Sequence, residues 1–378
     1  MLEVCYAAGD VMDSQEFAAY RQLASVVASS SELGSLRSFA LPYPPLAQRV
    51  LDQMVLRCLD LGVEPPFSVP GLLEWCRRRP AGDRVFGLSA GLLDAEATLV
   101  HPVGLMPTRT CLEVTSHEHS AGVEQEARAL LDDLAARCKD TEQYCRSRQF
   151  LAQHVVVHQQ DRFDRGWSKA VWTRVRDLYQ PLPESLVVSG KFLRCGTCWL
   201  PALLGGRRAP EHGAPVAGPQ TWCEGEDCPA GERMELIRGP EQVMLLRRPL
   251  RAFLALPFAV EQAGLATLAA PGIGYEVVPG ELGSYRLRGP GLRVHSVHFY
   301  DRVQPVLMAS RFTELAGRLP GPAAVVVAER SAGSADFRRA FALALPEELR
   351  ARVLLSGPQD LARQIHGHPT DEQEDAHA

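Results

Sequence analysis

The chain has 378 residues, 46% of them hydrophobic, and a formal charge of −5 from 40 Lys and Arg against 45 Asp and Glu. That length allows two or three domains with a sizeable core, and the acidic balance excludes a global electrostatic pull toward nucleic acid, leaving local basic patches as the only source of such a contact. The opening stretch MLEVCYAAGDVMDSQEFAAY has no basic start and no apolar run of signal length, and no later segment approaches the roughly 18 apolar residues that cross a bilayer, so a cytoplasmic protein without membrane contact is expected.

Residues 1–190 read as a helical N-terminal region. An amphipathic run starts at Ser14 and reaches Ala28. A second, Pro44 to Leu61, carries Leu46, Val50, Leu51, Met54, Val55 and Cys58 at helical spacing, and a third runs from Val69 to Arg78 with Pro70 at its start. The pattern from Ala121 to His154 is the longest in the chain, with Val123, Ala127, Leu130, Leu131, Leu134 and Cys138 as its apolar stripe. The next helix follows from RGWSKAVWTRVRDLYQPL, burying Trp167, Val171, Trp172, Val175, Leu178 and Tyr179 and stopping at Pro181. The scattered Cys5, Cys58, Cys76, Cys111, Cys138 and Cys145 are expected to be reduced packing residues.

From about residue 191 to 232 the texture turns to Gly, Pro, Cys and Trp without periodicity, as in a small insert lacking its own core. Cys195-Gly-Thr-Cys198 and Cys223-Glu-Gly-Glu-Asp-Cys228 each offer two thiolates on one tight turn, with Gly196 and Gly225 supplying backbone freedom. Together they satisfy tetrahedral zinc in a closed, structural site. A redox CxxC would instead want a helix start after a strand, whereas Trp199-Leu200-Pro201 reads as continuing loop.

The remainder, 233–367, alternates helix and strand. A helical stretch RRPLRAFLALPFAVEQAGLATLAA leads to a strand near Tyr275 to Val278 and then to YRLRGPGLRVHSVHFY, two strands joined by Gly289-Pro290-Gly291. A helix from about Val306 to Leu319, the buried strand AAVVVAER, a helix SADFRRAFALAL, the strand RVLLS and a helix PQDLARQIHG complete an order αβββαβαβα. Alternation puts Val294, Ser296, His298 and Tyr300 on one face of the second hairpin strand and Arg293, His295, Val297 and Phe299 on the other. Residues 368–378 form an acidic, disordered tail.

This arrangement resembles the PD-(D/E)xK restriction-endonuclease fold, in particular the restriction-endonuclease-like proteins that accompany prokaryotic PIWI-RE proteins in anti-phage defence islands. The resemblance rests on YCRSRQFL from Tyr144, the four clustered cysteines, Pro279 to Leu287, Arg293 to Tyr300 and AAVVVAER. It implies an α/β protein with a helical N-terminal region, a zinc ribbon and a C-terminal αβββαβ core, working with a PIWI-RE-like protein or another defence subunit and with DNA. In that fold a carboxylate on the second strand and an acid-x-Lys pair on the third hold Mg²⁺ and activate water. Here those positions fall on Arg286, Ser296 and His298, so a degenerate site is expected; Glu281 and Glu329 are the acids that could rescue it.

Basic pairs Arg207-Arg208 and Arg247-Arg248 are candidate phosphate contacts, joined more weakly by Arg338-Arg339. Ser116-His-Glu-His and His366-Gly-His read as surface histidines, and no lysine-bearing phosphate loop occurs. The expected function is a catalytically inactive, nuclease-like subunit that binds nucleic acid or a partner. The alternatives are an active Mg²⁺-dependent endonuclease with relocated acids and an adaptor that never touches DNA.

Overall fold

The computed structural model describes residues 14–32, 41–103, 106–116, 122–158, 167–205, 213–216, 220–226, 228, 231–269, 275–280, 283–317, 319 and 321–366. Two compact units emerge among the described residues, one within residues 9–256 and one within residues 257–378.

In the larger unit, α1 (Gln15–Glu32), α2 (Pro45–Asp60) and α3 (Val69–Arg78) form where the apolar periodicity lies, with Ser14 and Ser68 capping α1 and α3 and Pro45 opening α2. The Ser68 hydroxyl accepts from Gly71 N–H at 3.1 Å and Pro70 lies in the first turn, so α3 starts where sequence reasoning put it. A short α4 (Arg109–Thr115) follows. The long pattern after it is two helices rather than one: α5 (Val123–Arg137) and α6 (Thr141–Gln153). Cys138 takes extended backbone, and the Asp140 carboxylate accepts from Gln143 N–H at 2.8 Å, which restarts the helix although the apolar stripe runs on. The helix after Trp167 is also shorter than expected. α7 (Lys169–Val175) gives way to strand β2 (Tyr179–Pro181), and β8 (Val243–Leu246) lies between β2 and β1 (Val156–His158) in an antiparallel sheet.

The cysteine segment is more structured than its sequence texture suggests. β3 (Val187–Val188), β4 (Lys191–Cys195), β5 (Pro201–Leu204) and β6 (Thr221–Cys223) are neighbours in that order, and β7 (Met234–Ile237) pairs with the other edge of β4. Leu193, Cys195, Ala202, Val216, Cys223 and Met234 make a small apolar core, so the insert is not coreless, and the expected loop after Trp199 is a strand from Pro201. Strands of two to five residues are too short to show alternation, which is why periodicity missed them.

From Arg248 the chain makes a helical turn, Arg248–Leu250, then a π-helical turn, Arg251–Ala255, then α8 (Leu256–Leu268). Pro257 explains the π turn. It has no N–H to give and its ring crowds the carbonyl a turn earlier, and widening the winding relieves that clash.

In the smaller unit, β9 (Glu276–Pro279), β10 (Ser284–Arg288), β11 (Ser296–Phe299), β12 (Ala323–Val326) and β13 (Val353–Ser356) are neighbours in sequence order, antiparallel from β9 to β11 and parallel from β11 to β13. α9 (Pro305–Ala316) connects β11 to β12. α10 (Glu329–Gly333), α11 (Ala335–Ala344) and α12 (Glu347–Arg350) lie between β12 and β13, and α13 (Leu361–His366) follows. One face of the sheet, with Tyr285, Leu287, Val297, Phe299 and Val326, packs on Leu268 of α8 and on Leu361 and Ile365 of α13. The other face, with Ala323, Val325 and Val327, packs on Met308 and Phe312 of α9 and Phe341 of α11. Gly264 allows the close approach on the first face, since a Cβ there would stand 2.3 Å from the Phe299 ring.

Candidate functional site

The two cysteine turns are brought together by sheet pairing. β4 ends at Cys195 and β6 at Cys223, and β5 lies between them with Ala202 opposite Cys223. The sulfurs of Cys195, Cys198, Cys223 and Cys228 all lie within 4.8 Å of one another, with Cys195–Cys228 at 3.5 Å, Cys198–Cys223 at 3.2 Å and Cys223–Cys228 at 3.7 Å. Four thiolates bound tetrahedrally at about 2.3 Å to zinc have sulfurs roughly 3.8 Å apart, whereas a disulfide needs about 2 Å, so the arrangement fits an ion and not a bridge. Among the described residues no other group of three or more His, Cys, Asp or Glu side chains is gathered closely enough to hold a metal.

Electrostatically the cluster is poised for a cation. Hydrogen bonds from Cys198, Cys223 and Cys228 hold Cys195 far below the ordinary thiol range, and the same sharing pushes Cys198 and Cys223 far above it. Cys228 is also lowered, so two thiolates are stabilised at the expense of the other two, and a dication would let all four ionise.

The glycines of the turns serve space rather than backbone freedom. A Cβ on Gly196 would meet Arg233 O at 2.6 Å, and one on Gly225 would meet the Cys198 sulfur at 3.1 Å. The left-handed conformation falls instead on Trp199 (φ 60°) and Glu226 (φ 55°). Glu226 is held by its own side chain, whose Oε1 accepts from Arg109 N–H at 2.9 Å at the start of α4. Its neighbour Glu224 is 6% exposed and binds Arg251 through Nε–Oε2 at 2.7 Å and Nη2–Oε1 at 2.9 Å. The second cysteine turn is thereby fastened to α4 and to the π turn.

On the hairpin, Arg286 of β10 pairs with Ser296 of β11, and Ser284 with His298. Arg286 is exposed. Ser296 and His298 are buried, the His298 Nε2 lies 3.1 Å from the Ser296 hydroxyl, and the imidazole packs edge-on against Phe312 at 5.3 Å. The three positions therefore share a face of the hairpin, and none of them is a carboxylate or a lysine. The two histidines separate differently from the expectation of opposite faces on one strand: β11 starts only at Ser296, so His295 precedes it and is exposed.

Residues 19–158 match the family model of the pPIWI_RE three-gene island domain Y, and residues 259–373 match that of the REase associating with pPIWI_RE. The chain is a restriction-endonuclease-like protein associated with pPIWI_RE. No curated protein and no solved structure shows significant similarity to it. The four cysteines fall between the two matched domains, while Arg286, Ser296 and His298 lie within the REase domain.

The other sequence-predicted residues are scattered. Glu329, in the REase domain, opens α10 beyond the end of β12; its Oε1 accepts from Gln359 N–H at 2.7 Å, so the carboxylate is committed to the loop after β13. Arg248 is a correction. It is 6% exposed and donates through Nη1 to Ala28 O at 3.0 Å, an internal anchor and not a surface charge, because the helical turn it opens packs inside the larger unit. Arg247 precedes that turn, half-buried. Glu281, Arg207, Arg208 and the histidines at 117 and 119 lie outside the described residues. Sequence reasoning missed the Glu224–Arg251 pair, whose partners stand far apart in the chain. It also missed Glu261, 1% exposed, which accepts from the Tyr285 hydroxyl on the hairpin face opposite Ser296 and His298. Among the described residues no helix is long and apolar enough to cross a membrane.

Proposed function

We propose that this chain is the nuclease-like subunit of a prokaryotic pPIWI_RE defence system, that its hairpin no longer performs Mg²⁺ chemistry, and that it acts in the cytoplasm by binding nucleic acid together with its pPIWI_RE partner. The observation that carries the reading is the hairpin face itself. In the PD-(D/E)xK mechanism two carboxylates and a lysine converge there, and here an exposed guanidinium, a buried hydroxyl and a buried imidazole set edge-on against Phe312 occupy the positions. Mg²⁺ demands a cage of oxygen ligands and gives up water reluctantly, and an arginine beside such a cage repels it. Glu329 is already engaged with Gln359.

The order helix, three strands, helix, strand from Leu256 to Val326 supports reading this region as the αβββαβ nuclease core. The paired cysteine turns on a small antiparallel sheet support reading the middle as a zinc ribbon with one structural zinc on Cys195, Cys198, Cys223 and Cys228. We accordingly divide the chain into a helical region 1–190, a ribbon 191–232, a nuclease-like domain 233–367 and an acidic tail 368–378. The family matches on either side of the cysteine segment support this division.

Incubation of the purified, zinc-loaded chain with supercoiled plasmid in Mg²⁺ or Mn²⁺ tests the reading. We expect retention without nicking. Metal-dependent cleavage abolished by Glu281→Ala or Glu329→Ala would replace it with an active endonuclease using relocated acids. An absence of nucleic-acid binding at low salt would leave the adaptor reading in its place.

A further inference from the structure

Trp199 combines two properties that a bulky aromatic rarely has together: left-handed backbone, φ 60°, and 48% exposure of the residue. The first cysteine turn enforces both. Trp199 N–H donates to Cys195 O at 3.1 Å, and the indole N–H donates to Gly196 O at 3.2 Å, so the ring is fixed in one orientation. Strain held in place beside an open cavity is the mark of a residue kept for what it presents.

The cavity measures about 200 Å³ and is lined by Trp199 with Gln153, His154, Val156, Arg194 and Glu235. Arg194 and Glu235 stand directly opposite each other in the β4–β7 register. Both arginine bonds, Nε at 3.1 Å and Nη2 closer still, fall on the same carboxylate oxygen, Oε2. Among the described residues, Oε1 of Glu235 and Nη1 of Arg194 have no protein partner, which leaves one acceptor and one donor on this ion pair. The guanidinium carbon is 5.9 Å from the centre of the Trp199 ring, and the His154 imidazole is held by Phe150 and Trp167 at 4.5 and 4.9 Å.

We propose that this cavity is a nucleobase site, in which one unpaired base stacks on Trp199 and hydrogen-bonds to Glu235 Oε1 or to Arg194 Nη1. The volume is below the roughly 300 Å³ at which pockets for larger ligands begin, so it suits a single flat ring system. Every base offers a π-face and, on its pairing edge, both donors and acceptors, so a site with one acceptor and one donor reads a base without demanding one identity. An aromatic side chain of a protein partner would stack equally well but would leave the acceptor and donor unmatched and dry. A base in a duplex is excluded because its edge is already paired. The site deepens the nucleic-acid-binding reading above and rests on it, and it lies on the cysteine segment rather than on the hairpin.

The test uses the full zinc-loaded chain with a short fluorescein-labelled single strand, the matching duplex, and free nucleoside monophosphates. Trp199→Gly removes the ring while suiting the left-handed backbone, and Trp199→Phe keeps a stacking face. We expect Trp199→Gly to weaken single-strand binding about tenfold without changing its salt dependence, since no phosphate contact is lost, and Trp199→Phe to stay near the parent. Zinc content and circular dichroism should match the parent in both variants. Free nucleotides bound with the same sensitivity to Trp199→Gly would support the base site and make its source a free nucleotide. Single-strand binding unaltered by Trp199→Gly would overturn the site while leaving the nucleic-acid reading standing. A parent chain that binds neither strand nor nucleotide would overturn both.

Discussion

The guanidinium of Arg251 is 4% exposed and donates to both oxygens of Glu224 and, through Nη1, to Leu246 O at 2.6 Å. Removing one member of such a pair strands a buried charge, at about 3–5 kcal/mol, whereas replacing both with apolar residues is often close to neutral. Arg251→Met should therefore lower the stability of the larger unit by about that amount in urea melts, and Glu224→Leu with Arg251→Met should recover much of it. His101 gives a pH prediction. Burial depresses its pKa from 6.5 to about 4, and its Nδ1 accepts from Val103 N–H at 3.1 Å, which requires the neutral ring. The unfolded chain takes up the proton first, so the stabilisation is present above pH 6.5 and is lost as pH falls toward 4. His101→Gln should flatten that part of the stability profile, and an NMR titration of His101 should show its midpoint well below that of an exposed histidine. At this scale the four cysteines were legible because ligand spacing is local, and the free, buried Cys58, Cys76 and Cys111 were legible as packing residues. Glu224, Arg251, Trp199 and Glu235 were not, because the sheet and the π turn define their partners.

Among elements, the helices with both an apolar stripe and a cap were readable, as α3 shows. Where the two signals conflicted the cap won: Asp140 splits the long pattern into α5 and α6. Burial of the paired strands of the smaller unit was visible as AAVVVAER and as the hairpin, because five strands in one sheet carry long apolar runs or clear alternation. The cysteine sheet was invisible for the opposite reason, its strands being only a few residues long. Packing of α8 on the smaller sheet turns on Gly264. Gly264→Ala would drive a methyl into the Phe299 ring, and the overpacking should cost about 1–3 kcal/mol in chemical denaturation of that unit. Helix propensity alone predicts the reverse, a gain of up to about 1 kcal/mol, so the sign of the change decides between packing and propensity.

At the scale of the whole molecule, a Y domain, a cysteine centre and an REase domain follow one another in the chain, with the cysteine centre in the stretch between the two matches. Elemental analysis of protein purified without chelator should return one zinc per chain, and Cys195→Ser should abolish it. Because Cys195 and Cys223 also belong to an apolar core, that change should disorder the cysteine sheet while the apolar clusters of the smaller unit, on both faces of their own sheet, stay folded. On the proposed function the hairpin carries no catalytic cation. Mn²⁺ stands in for Mg²⁺ and is paramagnetic, so titrating the zinc-loaded chain and following free Mn²⁺ by electron paramagnetic resonance measures cation binding at the hairpin. No saturable site is expected at millimolar Mn²⁺ in the unaltered chain, because Arg286, Ser296 and His298 offer no carboxylate to replace its water. A stoichiometric Mn²⁺ site that disappears on Glu329→Ala or Glu281→Ala would contradict it.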